Sequence, residues 1–372
     1  MNVLFLLHLP PPVHGSSMVG KYIFDSKHIN DVFSCRYINV LSSKTIAETG
    51  RPSLSKAIGF MAIWLKMVFE LLLKKPDVCY FAITVSGFAF FRDVALVFLL
   101  KIFRVKRVFH LHNKGVSFWQ KKWVYRICYK YIFNKAEVIL LSKHLYSDVQ
   151  NFVPESNLHI CPNGIPFDDR TSKLKRKDRG EKAPKILFFS NLIESKGVFI
   201  LLEACAKLKQ RGISFSCDFI GGEGDISREQ FQEKVRYFDL EQDVAYLGRK
   251  YEEEKERAFV EADIFAFPTF YFYETFGLVN LEAMKYRLPI ISTYEGGIPD
   301  VVVNNKTGFL VRKEDSTELA DKLEILIKNP KLRIEMGEAG YNKYKENFTL
   351  DIFEKRLIEM IQTASPTTQL EY

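Results

Sequence analysis

No CxxC pair is present: the six cysteines stand singly at positions 35, 79, 128, 161, 205 and 217. Their scatter excludes a disulfide frame and a zinc ribbon, and predicts reduced thiols in a cytosolic protein. No basic n-region precedes the apolar opening, residues 1–9, and prolines end it. It therefore reads as a first buried strand and not as a signal peptide. No apolar run reaches the roughly 20 residues of a spanning helix; the longest, 88–103, is broken by Arg92, Asp93 and Lys101. No RNP, zinc-knuckle or helix-turn-helix signature supports a nucleic-acid partner. The Walker pattern GxxxxGK[ST] is missing, and no GxGxxG opens a first strand–helix unit, which counts against a dinucleotide enzyme. Neither an internal repeat nor a low-complexity tract occurs.

What is present is a globular composition, 47% hydrophobic and 26% charged over 372 residues. That length is large for one core, so two domains are expected. Charge is split along the chain. Residues 1–170 carry 22 Lys+Arg against 11 Asp+Glu, residues 171–185 carry 7 against 2, and the remainder 24 against 32. All seven histidines precede residue 160. Halves of opposite sign indicate domains with different partners. In the first half, Lys66, Lys74, Lys75, Lys101, Lys121 and Lys122 sit beside apolar helical patterns. That suits an anionic membrane surface; a merely solvated basic surface is the plainer alternative.

Short apolar runs alternate with helical patterns throughout. Strands are expected at 3–7, 78–83, 107–111 and 138–141, with helices at 55–73 and 121–133. In the second half strands are expected at 185–190, 216–221, 244–247, 264–268, 289–292 and 308–311. Helices are expected there at 197–211, 227–238, 252–261, 278–286 and 316–328, with a last one at 351–361 and a frayed tail from Ala364. Such alternation predicts parallel sheets covered on both faces, with ligands at the carboxyl ends of strands. Residues 168–184, polar and basic, read as a solvated linker.

The most informative stretch is 273–284, where Glu274 and Glu282 bracket Phe276-Gly277-Leu278. A turn running into a helix places Glu274 at or just before the first helical turn and Glu282 two turns further in. Eight helical residues span about 12 Å, too far for a retaining glycosidase pair at about 5 Å. The two acids instead suit gripping separate parts of one long ligand, with helix-start amides holding an anion between them. Lys196, at a strand–turn–helix junction, could meet a phosphate or be an ordinary surface lysine. The glycine turns at 219–224 and 294–300, and the Gly15 loop after the first strand, let backbone approach a ligand or simply turn the chain. His110 and His112 point to one face of a strand; one could hydrogen-bond a ligand, and no Cys/His cluster completes a metal site.

Taken in series, these motifs resemble the retaining glycosyltransferases of family 4. The likeness is strongest over 185–330, from Phe267-Pro268 through Glu274, Glu282-Ala283-Met284, Arg287-Leu288-Pro289 and Gly296-Gly297-Ile298-Pro299 to Thr307-Gly308-Phe309-Leu310-Val311. The first half matches through the Gly15 loop, His112, Ser142 and Pro162-Asn163-Gly164-Ile165. The resemblance implies the α/β GT-B fold, two Rossmann-like domains with parallel sheets facing across a cleft. The first, 1–168, would bind acceptor; 169–184 would link; 185–349 would bind donor; and 350–372 would return to the first domain.

Residue by residue, it implies Glu282 on the ribose hydroxyls and Glu274 on the donor sugar. The amides of Phe276, Gly277 and Leu278 would approach sugar and diphosphate. Lys196 would take the diphosphate, Leu247-Gly248 would flank the base, Gly15 would donate an amide to phosphate, and His112 would line the acceptor side. The family places an arginine where Asn191 stands here; Arg249 could replace it, or the diphosphate is held less tightly. No Asp-x-Asp occurs, so the metal clamp of the other main glycosyltransferase fold is absent. The expectation is a cytoplasmic, membrane-peripheral enzyme of polysaccharide or lipopolysaccharide synthesis. It would need no cofactor or metal and would move sugar from a nucleotide donor to a glycan or lipid-linked acceptor. A sugar-nucleotide epimerase of the same fold and a non-catalytic binding subunit are the alternatives.

Overall fold

A computed structural model describes residues 1–41, 54–174 and 183–364. The expected tail beyond Ala364 and linker positions 175–182 lie outside the described residues. The chain divides into two compact units, Met1–Gly164 with the stretch from Leu350, and Ile165–Thr349.

The first unit holds β1 (Asn2–Leu7), β2 (Ser34–Asn39), β3 (Val78–Phe81), β4 (Lys106–Leu111), β5 (Glu137–Leu140) and β6 (Leu158–Ile160) in a parallel sheet ordered β2-β1-β3-β4-β5-β6. Val3–Leu7 is wholly buried, as a central parallel strand with helices on both faces must be. The edge strands β2 and β6 were not anticipated. Both are only partly covered, Ser34-Cys-Arg-Tyr-Ile-Asn most of all, so neither carries the continuous apolar run that marks a central strand. The last helix, Leu350–Thr363, packs on Lys27–Val32, where Glu354 pairs with His28 at 3.1 Å.

The second unit repeats the plan with β7 (Lys185–Phe189), β8 (Ser216–Ile220), β9 (Val244–Tyr246), β10 (Ile264–Phe267), β11 (Ile290–Thr293) and β12 (Gly308–Val311), ordered β12-β11-β10-β7-β8-β9, all parallel. The expected strands and helices of this half fall within a residue or two of these bounds. The helix Pro330–Asn347 was missed, because its glycines and scattered apolar residues blur the 3.6-residue period. Gly337 is there for contact: a methyl on it would lie 2.1 Å from the Arg287 carbonyl oxygen.

Residues 165–168, expected at the end of the first domain, belong to the second unit, and so do linker positions 169–172. The Ile165 amide donates to the Phe348 carbonyl at 3.0 Å, and the Tyr344 hydroxyl to the Pro166 carbonyl at 3.0 Å. Thr171 is buried, and its carbonyl accepts from the Arg287 guanidinium. A polar segment looks solvated in sequence; here its backbone groups are paired with the second unit.

Candidate functional site

In the second unit the loops after β7, β8, β9 and β10 gather the charged groups, since parallel strands deliver their carboxyl ends to one edge of the sheet. After β7 a short 3-10 turn, Glu194–Lys196, ends at Gly197 with φ 89° before the helix Val198–Gln210. Only glycine suits that turn: its φ is left-handed, and a methyl would sit 2.3 Å from the Pro268 carbonyl oxygen. The β7 loop is thereby clamped to the β10 loop, with the Phe270 amide donating to the Ser195 carbonyl at 2.8 Å.

The clamp sets Lys196 against Glu274. Lys196 Nζ lies 2.6 Å from Glu274 Oε2, and both side chains are mostly buried. Glu274 Oε1 accepts from the Gly277 amide at 3.1 Å, and the ammonium stands 4.3 Å from the centre of the Tyr271 ring. Burial, and then the Glu274 carboxylate, raise the Tyr271 phenol above its ordinary range.

Glu274 is not on the helix. Gly277, with φ 71°, caps Leu278–Lys285, and this left-handed residue turns the chain between Glu274 and the first helical position. The 12 Å helical separation inferred from spacing therefore does not apply. Glu282 does sit on that helix. Its Oε1 meets Lys255 Nζ at 2.6 Å, and its buried Oε2 has no hydrogen-bond partner among the described residues. Phe276 places only its backbone at the site, because its ring packs edge-on against Phe348. Leu278 is the first residue of the helix.

The Asn191 position is also resolved. Asn191 Oδ1 accepts from the Gly222 amide at 3.0 Å. The Arg249 guanidinium covers Gly222 so closely that a methyl there would lie 2.0 Å from Nε. Gly248, with φ 69°, faces open space and accepts from the Gly221 amide at 2.9 Å. Asn191, Gly222 and Arg249 thus form one cluster at neighbouring strand ends, with the cation supplied by the β9 loop.

Gly15 and His112 belong to the first unit. Gly15 opens the helix Gly15–Asp25, which His14 caps by accepting from the Ser17 amide at 3.3 Å. Ser16 Oγ bonds His8 Nδ1 at 2.7 Å, and Gly20 lets the helix close onto the His8 carbonyl. His110 is fully buried: its Nδ1 is bonded to the Tyr80 hydroxyl at 2.6 Å, and its Nε2 has no hydrogen-bond partner among the described residues. His112 lies beside it, ring centres 4.1 Å apart, and keeps some exposure. Desolvation, helped by the nearby His14, lowers its imidazole to about 3, so it is neutral at pH 7 and suited to hydrogen bonding.

Two residues escaped the sequence reading. Lys255, on the helix Glu252–Glu261, looked like one charge in an acidic, solvated run. Asn280 is fully buried, yet neither its Oδ1 nor its Nδ2 has a hydrogen-bond partner among the described residues. Its amide lies against Gly277, where a methyl would be 2.7 Å from Nδ2. A polar residue on the inward face of an apolar helix was the available signal.

Residues 169–343 match the family model described as glycosyl transferases group 1. The chain is 28% identical over 277 residues to the amylovoran biosynthesis glycosyltransferase AmsK of Erwinia amylovora, covering 71% of this chain and 65% of that one. It is 30% identical over 231 residues to a D-inositol 3-phosphate glycosyltransferase of Corynebacterium jeikeium, covering 57% and 54%. The matches thus span between half and two thirds of these relatives. In fold it is similar to Anabaena Alr3699/HepE in complex with UDP, with TM-score 0.74 at 18% identity, covering 98% of this chain and 100% of that one. The resemblance to bacterial polysaccharide glycosyltransferases and the GT-B class of α/β fold therefore hold.

Proposed function

We propose that this protein is a retaining glycosyltransferase that moves a sugar from a nucleoside-diphosphate sugar to a glycan or lipid-linked glycan, without requiring a metal. The observation that carries the reading is the Lys196–Glu274 pair at 2.6 Å, with the Gly277 amide on the same carboxylate. It puts a cation, an acid and a helix start in one place. In sugar transfer, negative charge builds on the departing diphosphate and positive charge on the ring. Lys196, Arg249 and the helix-start amides would stabilise the first. Glu274 would hold sugar hydroxyls, and the unpartnered Oε2 of Glu282 would accept from the ribose. The anomeric carbon–phosphate oxygen bond breaks as the acceptor oxygen bonds from the face the phosphate vacates, and the acceptor proton leaves with the phosphate. Gly15 and His112 keep the phosphate and acceptor roles that the resemblance implies for them.

Several observations support the finer points. HepE was crystallised with UDP, which favours a uridine donor. The relatives' names agree on glycosyl transfer and differ in the rest, amylovoran biosynthesis in one and D-inositol 3-phosphate in the other. All six cysteines are free thiols, which suits the cytoplasm.

The test is nucleoside-diphosphate release with UDP-, GDP- and ADP-sugars over a panel of glycan acceptors. Lys196→Ala should cost about 10²–10³-fold in turnover. Glu282→Ala should weaken nucleotide binding, and Arg249→Ala should do the same and be rescued by Asn191→Arg. Full turnover in Lys196→Ala and Glu282→Ala would refute the site. Donor conversion without acceptor would point to an epimerase.

A further inference from the structure

We infer, resting on the nucleotide-sugar reading of this site, that Lys255 reads the donor ribose together with Glu282, ammonium and carboxylate forming one mixed pair for a vicinal diol. Two separate helices supply the pair. Lys255 is the fourth residue of Glu252–Glu261, and Glu282 the fifth of Leu278–Lys285. Lys255 Nζ meets Glu282 Oε1 at 2.6 Å. The ammonium stands 5.3 Å from the centre of the Phe189 ring, at the end of β7. Phe189 packs on Phe259 with ring centres 5.3 Å apart, and Phe259 stacks on Tyr286 at 5.4 Å. These rings tie the strand end to both helices and fix the lysine beside the acid.

Neither helix formation nor folding stability accounts for this lysine. A cation so near a helix start opposes the dipole, whereas the three glutamates before it follow the dipole. The ion pair is partly solvated, with Lys255 32% and Glu282 23% exposed, and such pairs add little to folding. Only half of the carboxylate is used: Oε2 is buried and has no hydrogen-bond partner among the described residues. A buried acceptor left open is unfavourable for the fold and favours a ligand that donates to it.

Charge selects the ligand class. The pair is neutral as a whole, with an open acceptor at Oε2 and N–H groups remaining on Nζ, since an ammonium carries three. Glu282 repels a phosphate here, and Lys255 repels a cation. A sugar hydroxyl both donates and accepts. Of two neighbouring hydroxyls, one donates to Oε2 and the other accepts from Nζ. The carboxylate by itself would take both only if Lys255 withdrew from Oε1, so the contact at 2.6 Å gives the second hydroxyl to the lysine. Place agrees with chemistry. Glu282 lies about 6 Å along the helix from Leu278, so a diphosphate held at the helix start brings its ribose to this pair.

The test titrates UDP, GDP and ADP into the full-length protein, then repeats the tightest of them in its 2′-deoxy and 3′-deoxy forms. The parent should bind each deoxy form about 10-fold or more weakly than the ribonucleotide. Lys255→Met should weaken the ribonucleotide about 10-fold and bring one deoxy form to within about twofold of it, while the other deoxy form, read by Glu282, keeps its penalty. Lys255→Gln, which retains a donor without charge, should retain part of the discrimination. In a double-mutant cycle, Lys255→Met and Glu282→Gln should not add in ribonucleotide affinity. Deoxy penalties unchanged in Lys255→Met would overturn the inference and leave the donor site standing. A lowered melting temperature with those penalties unchanged would make the pair structural and overturn it too. A parent that binds none of the three nucleotides would overturn the donor-site reading as well.

Discussion

The Asn280 amide is fully buried without a hydrogen-bond partner among the described residues, on the helix that carries Glu282. Leaving such a group unpaired costs about 1–3 kcal/mol, a cost that folding alone would not keep. Asn280→Leu, nearly equal in shape, should therefore raise the melting temperature while weakening sugar-nucleotide binding. A lowered melting temperature would mean the amide serves the fold. The same distinction runs through the other site residues. Glu274 and Lys196 were legible because each follows a strand at a turn into a helix. Lys255 was not legible, because its contact with Glu282 bridges two helices and nothing in the local run Glu252-Glu253-Glu254-Lys255 hints at it. Arg249 was only one of two options in the sequence, and the structure seats its guanidinium over Gly222, beside Asn191.

At the scale of elements, the helix bearing Glu282 is held from behind by Pro330–Asn347. Their approach depends on Gly337 against the Arg287 carbonyl, with the Arg287 guanidinium stacked 3.6 Å from the Tyr341 ring centre and paired with Glu338. Arg287 itself adopts φ 53°, so the backbone there cannot easily yield. Gly337→Ala should cost about 1–3 kcal/mol by overpacking. It should also weaken nucleotide binding, because the strain passes to the Glu282 helix. Unchanged melting and binding would show that the helix pair can separate freely. Central strands were readable because burial on both faces forces continuous apolar runs. The edge strands β2 and β6 and the glycine-bearing helix were not, because partial cover and close backbone contact leave no such periodic mark.

For the whole molecule, acid should be the weak side. Burial lowers His8 and His110 well below 6.5, and His112 to about 3. Unfolded, the same imidazoles protonate near 6.5. Their neutral forms thus favour the folded state fully above pH 6.5, and that contribution is lost as pH falls from there towards the folded values. Each costs about 1.4 kcal/mol per pH unit in that window. Melting temperature should fall between about pH 7 and pH 5; a flat profile would show that these histidines are solvated. The division into a basic first half and an acidic second half, and the alternation of strand and helix, were settled by composition and period alone. So was the run of motifs from Lys196 to Val311, since each depends on neighbours within a few residues. Only the tertiary structure decided the partners of the charges. Lys196 and Glu274 are 78 residues apart and Lys255 and Glu282 are 27 apart, so each pair exists only where the fold brings separate strand ends and helices together.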